Sequence, residues 1–162
     1  MALDGLTGLL NHTHLKAQLE TEVVRAKRLR GKLAFAMIDI DNFHTINAHY
    51  GHPAGDRVIQ SLASLLQQRL RRTDVVGRYG GEEFAVILGD VDGETAERIL
   101  NELRENFAQI IHHADGSEFQ VTFSCGIGVF PEQDTVSALN MATDKALYTA
   151  KQQGRNQVVL LV

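Results

Sequence analysis

Two groups of carboxylates and one pair of cations stand where this chain could do chemistry. Asp39 and Asp41 close an unbroken apolar run, Leu33-Ala-Phe-Ala-Met-Ile38, while Glu82 and Glu83 directly follow the pair Gly80-Gly81. If the run is a buried strand and the glycines turn a neighbouring hairpin, the two acid groups meet at one end of a sheet. Carboxylates brought together repel, and the pKa of at least one rises unless a cation compensates. Mg²⁺ suits such a place, because it prefers oxygen ligands, takes one or two carboxylates from a protein, and completes its octahedron with water and substrate phosphate. Exposed acids at a strand end and a turn are the plainer alternative for either group alone. Lys151 and Arg155 lie four residues apart near a predicted helix end. They would hold a phosphate-bearing substrate or simply offset the helix dipole. No Gly-x-x-x-x-Gly-Lys-Ser/Thr run is present, which excludes an ordinary P-loop.

The elements that must position these groups are legible from hydrophobic spacing. Leu15, Leu19, Val23 and Ala26 predict an amphipathic helix over 13–30, and the run 33–38 a central strand buried on both faces. Residues 42–50 read as a short helix and Gly51-His-Pro-Ala-Gly-Asp56 as a loop. A further helix carrying Val58, Leu62, Leu65 and Leu66 should end near Arg72. Residues 73–88 read as a hairpin about Gly80-Gly81, since glycine accepts positive φ at little steric cost. A third long helix is expected from Glu94 to His112, then a strand in which Phe119, Val121, Phe123, Cys125, Ile127 and Val129 alternate. A last helix over 135–153, closed by Gly154, and a strand over 157–162 complete the chain. The expected fold class is α/β (α+β), a central mixed sheet with an antiparallel hairpin, surrounded by helices.

With 162 residues, 44% hydrophobic and two prolines, the chain should form one domain without metal or disulfide staples. Cys125 is the only cysteine, so no intrachain disulfide can form, and it reads as a small buried hydrophobe. A net charge of −4 argues against a sequence-independent grip on nucleic acid, and any phosphate partner must be held locally. The basic stretch Arg25-Ala-Lys-Arg-Leu-Arg30 reads as a solvated helix face. No apolar run approaches the ~18 residues of a membrane span, and Met1-Ala2-Leu3-Asp4 does not open a signal peptide. His49 with His52 and His112 with His113 lack thiols or a clear third ligand, and read as loop and surface histidines.

Arg78-Tyr-Gly-Gly-Glu-Glu-Phe84 resembles the signature of the GGDEF family in its GGEEF form. The remaining motifs follow in register over essentially the whole chain. These are Asp4-Gly-Leu-Thr-Gly-Leu-Leu-Asn11, Asp39-Ile-Asp-Asn-Phe43, Ile46-Asn47, Tyr50-Gly-His52, Gly55-Asp56, and Tyr148-Thr-Ala-Lys151 with Gly154-Arg-Asn156. The resemblance implies a diguanylate cyclase, which condenses two GTP into cyclic di-GMP and releases two pyrophosphates. It also implies a five-stranded sheet similar to nucleotidyl cyclases and polymerase palm domains. Asp39, Glu82 and the Ile40 carbonyl would bind Mg²⁺ (or Mn²⁺), and Glu83 would be a further ligand or the base for the attacking 3′-hydroxyl. Two metals about 3.5–4 Å apart would serve each active site. Asn47 and Asp56 would read guanine, whose ring N–H and exocyclic amine form a donor pair that adenine lacks. His52 would line that pocket, Lys151 and Arg155 would hold the β and γ phosphates, and Arg78 would assist or tie the turn to Asp4. Arg71-Arg-Thr-Asp74 resembles the family's inhibitory product site.

The resemblance further implies a homodimer of catalytic domains, since each site would hold one GTP. An upstream sensory or receiver domain in a longer protein and a cytoplasmic location for the domain go with it, and no membrane contact is expected of the domain itself. Three positions depart from the family's usual residues: His12 for arginine, His44 for lysine and Ala48 for aspartate. Lysine at position 44 would carry full charge at neutral pH, whereas the charge on a histidine changes near neutrality. Losing one charge-assisted contact costs about 1–2 kcal/mol, or about ten- to thirtyfold in rate. A slower enzyme, more active below neutral pH, is the expectation. The rival reading is a non-catalytic GTP-sensing or cyclic di-GMP receptor module.

Overall fold

The computed structural model describes residues 2–161, so Met1 and the end of the predicted last strand, Val162, lie outside it. Five strands form a mixed sheet in the order β2-β3-β1-β6-β7. They are β1 (Leu33–Ile40), β2 (Val75–Gly80), β3 (Glu83–Gly89), β6 (Phe123–Phe130) and β7 (Val158–Leu160). The first four pair antiparallel, and β7 runs parallel to β6. Central β1 is buried along its whole length, as an unbroken apolar run requires.

Alternation along the strands divides the core. Ala36, Ile38, Phe84, Val86, Cys125 and Ile127 face α2 (Phe43–Tyr50), α3 (His52–Arg69) and α4 (Gly93–Gln109). Phe35, Met37, Ala85 and Ile87 face α1 (His12–Leu29) and α5 (Val136–Gln152). The result is a sheet between two helical layers. Period two then puts Asp39 and Asp41 on the α1/α5 side, at the end of β1.

Helix α5 reaches the sheet through two glycines of β6. A Cβ on Gly126 would stand 2.2 Å from the Leu147 amide nitrogen, and one on Gly128 would stand 2.6 Å from Thr143 Oγ1. These bare positions let the helix backbone lie on the strand and carry Lys151 to the sheet's end. On the other side Gly51, at φ 92°, ends α2 and starts α3, so the two helices meet at a corner.

The expected five-stranded mixed sheet is present, with five differences in its elements. The segment read as a loop, His52–Asp56, is the first turn of α3, because Pro53 suits a helix start, where no amide partner is needed. That helix stops at Arg69, short of Arg72. The third long helix stops at Gln109, and His112–Ala114 and Ser117–Phe119 form an unforeseen two-stranded hairpin, β4–β5. Phe119 therefore belongs to that hairpin and the strand after it starts at Phe123. His112 is buried at 8% exposure against Phe107 and Phe119, contrary to the surface reading.

Candidate active site

The register of the sheet builds the acid cluster. Asp39 lies opposite Glu83 on β3 and opposite Ser124 on β6. Directly paired residues on antiparallel strands share a face and lie close enough to interact. The hairpin turn falls at Gly81-Glu82, since Gly80 still pairs with Glu83 across a bulge. Glu82 is therefore in the turn itself, and its carbonyl accepts a hydrogen bond of 3.2 Å from the Ile40 amide. The turn is thus docked on the end of β1.

Arg78 fixes the turn from the other side. Its Nε and Nη2 donate to the Gly81 carbonyl at 3.0 and 2.8 Å, and its Nη1 donates to both Asp4 oxygens at 3.2 and 3.3 Å. Asp4 also accepts from the amide and hydroxyl of Thr7 at 2.9 and 2.7 Å. Burial alone would raise its pKa, but the Thr7 bonds and the Arg78 guanidinium together hold it below the ordinary aspartate value. His12 stacks on Tyr79 with ring centroids 4.0 Å apart, beside the same turn.

The electrostatics are those of crowded acids. Burial pushes the Asp39 carboxyl above its ordinary value; Lys151 opposes the shift, and the charges of Glu82 and Asp41 add to it. Glu83 is raised by burial and then by Asp39, with Lys151 opposing and Glu82 and Asp144 adding. Lys151 hydrogen-bonds Asp39 directly. Among the described residues no three His, Cys, Asp or Glu side chains form a ready metal cage. The donor chemistry nevertheless fits Mg²⁺, which needs only one or two carboxylates and whose charge would relieve this repulsion.

Asn47 and Asp56 stand either side of the α2–α3 corner. A Cβ on Gly55 would lie 1.9 Å from Asn47 Oδ1, so only glycine lets Asn47 sit there. That oxygen is buried without a hydrogen-bond partner, packed against Gly55. Asp56, His52 and His44 are exposed on the same two helices, and Arg155 is exposed at φ 65° in the turn after α5. The structure brings Asp39, Glu82, Glu83 and Lys151 into one cluster. It leaves His44, His52, Asp56 and Arg155 at its solvent-facing surroundings without drawing them together.

Arg71 and Asp74 close on each other at the opposite end of the sheet. Arg71 donates to Asp74 at 2.8 Å and to the Gly89 carbonyl at 2.7 Å, and Gly89 pairs with Leu33 at the start of β1. Six residues of strand separate that end from Asp39, about 20 Å. The pair lines a cleft of about 590 Å³ with Arg25 and Arg72.

One residue had its place read from the sequence but no role. Asp41 is 6% exposed and accepts from Ser124 Oγ at 2.6 Å, Thr122 Oγ1 at 2.7 Å and the Asn156 amide at 3.0 Å. The signal available was the hydroxyl pair Thr122 and Ser124, spaced by two just where β6 flanks β1.

The family model described as Diguanylate cyclase, GGDEF domain, matches residues 1–157. Diguanylate cyclase DgcP of Pseudomonas aeruginosa is 41% identical over 155 residues, which cover 96% of this chain and 23% of that protein. The GGDEF domain of DgcB from Caulobacter crescentus, solved in complex with c-di-GMP, superposes at a TM-score of 0.94 with 28% identity, over 98% of this chain and 95% of that one. The GGDEF domain of TpbB (YfiN) from Pseudomonas aeruginosa superposes at 0.93 with 36% identity, over 99% and 94%. The chain spans about a quarter of the length of DgcP and 35% of that of TpbB.

Proposed function

The chain belongs to the GGDEF family of diguanylate cyclases, and from that membership we propose that it condenses two GTP into cyclic di-GMP with release of two pyrophosphates. The observation that carries the reading is the pairing of Asp39 with Glu83 beside a docked Glu82, with Lys151 at the same point. Asp39, Glu82 and the Ile40 carbonyl would hold Mg²⁺ or Mn²⁺, two ions per site. When bound, the metal activates the 3′-hydroxyl and offsets charge on the leaving pyrophosphate in an in-line displacement at the α-phosphorus.

The protein's own groups do the rest. Glu83, its carboxyl raised by burial and by Asp39, is suited to take the 3′-hydroxyl proton or to hold a ligand position. Asp56 accepts from the guanine N–H groups, Asn47 addresses the base with its side-chain amide, and His52 lines that corner. Lys151 turns from Asp39 to the β and γ phosphates, joined by Arg155 and His44. Arg78 keeps the turn rigid, so that Glu82 meets the substrate already placed.

Two copies must face each other, because each holds one GTP, and Arg71 with Asp74 would bind product and slow turnover. An upstream sensory or receiver domain would set how often two copies meet, and GTP places the domain in the cytoplasm. Incubation with GTP and Mg²⁺ followed by chromatography tests the reading. Cyclic di-GMP supports it, a cyclic mononucleotide rejects it, and GTP bound without turnover leaves a GTP-sensing or cyclic di-GMP receptor module.

A further inference from the structure

We propose that Asp41 is a positioning residue of this site, holding the turn that carries Arg155 against the end of β1 while Lys151 and Asp39 change partners. The proposal rests on the cyclase reading above. Both Asp41 oxygens are occupied: Oδ1 by Ser124 Oγ at 2.6 Å, Oδ2 by Thr122 Oγ1 at 2.7 Å and the Asn156 amide at 3.0 Å. Its own amide donates to the Thr122 carbonyl at 2.9 Å. A carboxylate so engaged is a structural acceptor, not a metal ligand.

The turn it grips needs holding. Gly154, Arg155 and Asn156 stand at φ 114°, 65° and 47°, three left-handed residues in succession, and two of them carry side chains. Asn156 is pinned a second time by Arg104 of α4, which donates to its Oδ1 at 2.8 Å. The β1 end thus ties the α5–β7 segment at two points, Asp39 to Lys151 and Asp41 to Asn156. Catalysis as read above gives Asp39 to the metal and Lys151 to phosphate, so the first tie breaks. The second persists and keeps Arg155 in place.

Steady-state kinetics of Asp41→Ala and Asp41→Asn against the wild type provide the test. Asp41→Ala removes every acceptor and should raise KM for GTP about tenfold while the Mg²⁺ midpoint for activation stays within about twofold. Asp41→Asn retains one oxygen for Thr122 and Asn156 and can donate to Ser124, so it should restore KM to within about threefold. An unchanged KM in Asp41→Ala overturns the proposal, as does an Asp41→Asn variant equally impaired with a displaced Mg²⁺ midpoint, which marks a metal ligand. Ser124→Ala, which keeps the carboxylate with one donor fewer, serves if Asp41→Ala does not fold, and should shift KM in the same direction by less. Absence of product from the wild type would sink the cyclase reading instead. Amide exchange at Asn156 needs no substrate and then decides: about tenfold faster exchange in the variant supports the tie, and equal exchange overturns it.

Discussion

The Lys151 ammonium, in the last turn of α5, hydrogen-bonds the Asp39 carboxylate at the end of β1. A metal held by Asp39, as proposed, would compete with the lysine for that carboxylate, so that metal binding and release of Lys151 toward phosphate would be one event. Lys151→Met should therefore tighten Mg²⁺ binding in the absence of nucleotide. It should also raise KM for GTP, by about tenfold for one lost charge-assisted contact. Calorimetry with Mg²⁺ and with GTP reads the two effects separately, and opposite signs are the expected result.

Close packing at glycine makes a second prediction. In Gly55→Ala the new methyl would occupy the space of Asn47 Oδ1, displacing the side chain proposed to address guanine. KM for GTP should rise with little change in kcat. Gly126→Ala instead meets the α5 backbone 2.2 Å away and should destabilise the whole domain by about 1–3 kcal/mol or more. Thermal melts and kinetics of the two variants separate a local effect from a global one.

The raised carboxyls make stability depend on pH. A carboxyl whose folded pKa lies above its unfolded value binds its proton more tightly in the folded state. Its contribution to stability is thus lost as pH rises from the ordinary glutamate value, 4.5, through the raised one. Burial and then Asp39 raise Glu83, so Glu83→Gln should melt about 1–3 °C above the wild type at neutral pH without metal. The gap should close toward acid pH, and narrow when Mg²⁺ is added. Parallel melting profiles would contradict the crowded-acid account.

Arg71 is half exposed, but the Asp74 carboxylate that it grips through Nε and Nη2 is only 2% exposed. Arg71→Ala strips that carboxylate of its cation and should lower the melting temperature by about 2–6 °C. Product should then accumulate past the level at which the wild type stalls, as followed by timed chromatography.

His44 stands exposed in the first turn of α2. His44→Lys places a permanent cation there and should raise kcat/KM about tenfold at neutral pH. No gain at any pH would remove His44 from the phosphate site.

Much of this site was legible because the governing patterns are local. The apolar run ending at Asp39 and the glycine pair before Glu82 specify a strand end and a hairpin, and adjacency of the two follows once they pair. The β4–β5 hairpin was missed because its strands are three residues each, too short for alternation to register. The first turn of α3 was misread because proline and glycine signal loops in isolation, while here Pro53 starts a helix and Gly55 makes room for Asn47. The Lys151–Asp39 bond joins residues 112 apart in sequence, and no spacing rule reaches across that distance. Asp41 was visible as a carboxylate at a strand end, but its partners come from β6 and from a left-handed turn.

Cyclic di-GMP and pyrophosphate, measured together from concentrated wild-type domain and from Glu82→Gln with GTP and Mg²⁺, decide between condensation at this metal site and any other use of GTP. Two pyrophosphates per cyclic di-GMP are expected from the wild type, and neither product from a Glu82→Gln variant that is folded by circular dichroism. Cyclic di-GMP from Glu82→Gln at the wild-type rate would contradict the metal site, and pyrophosphate without cyclic di-GMP would contradict the condensation.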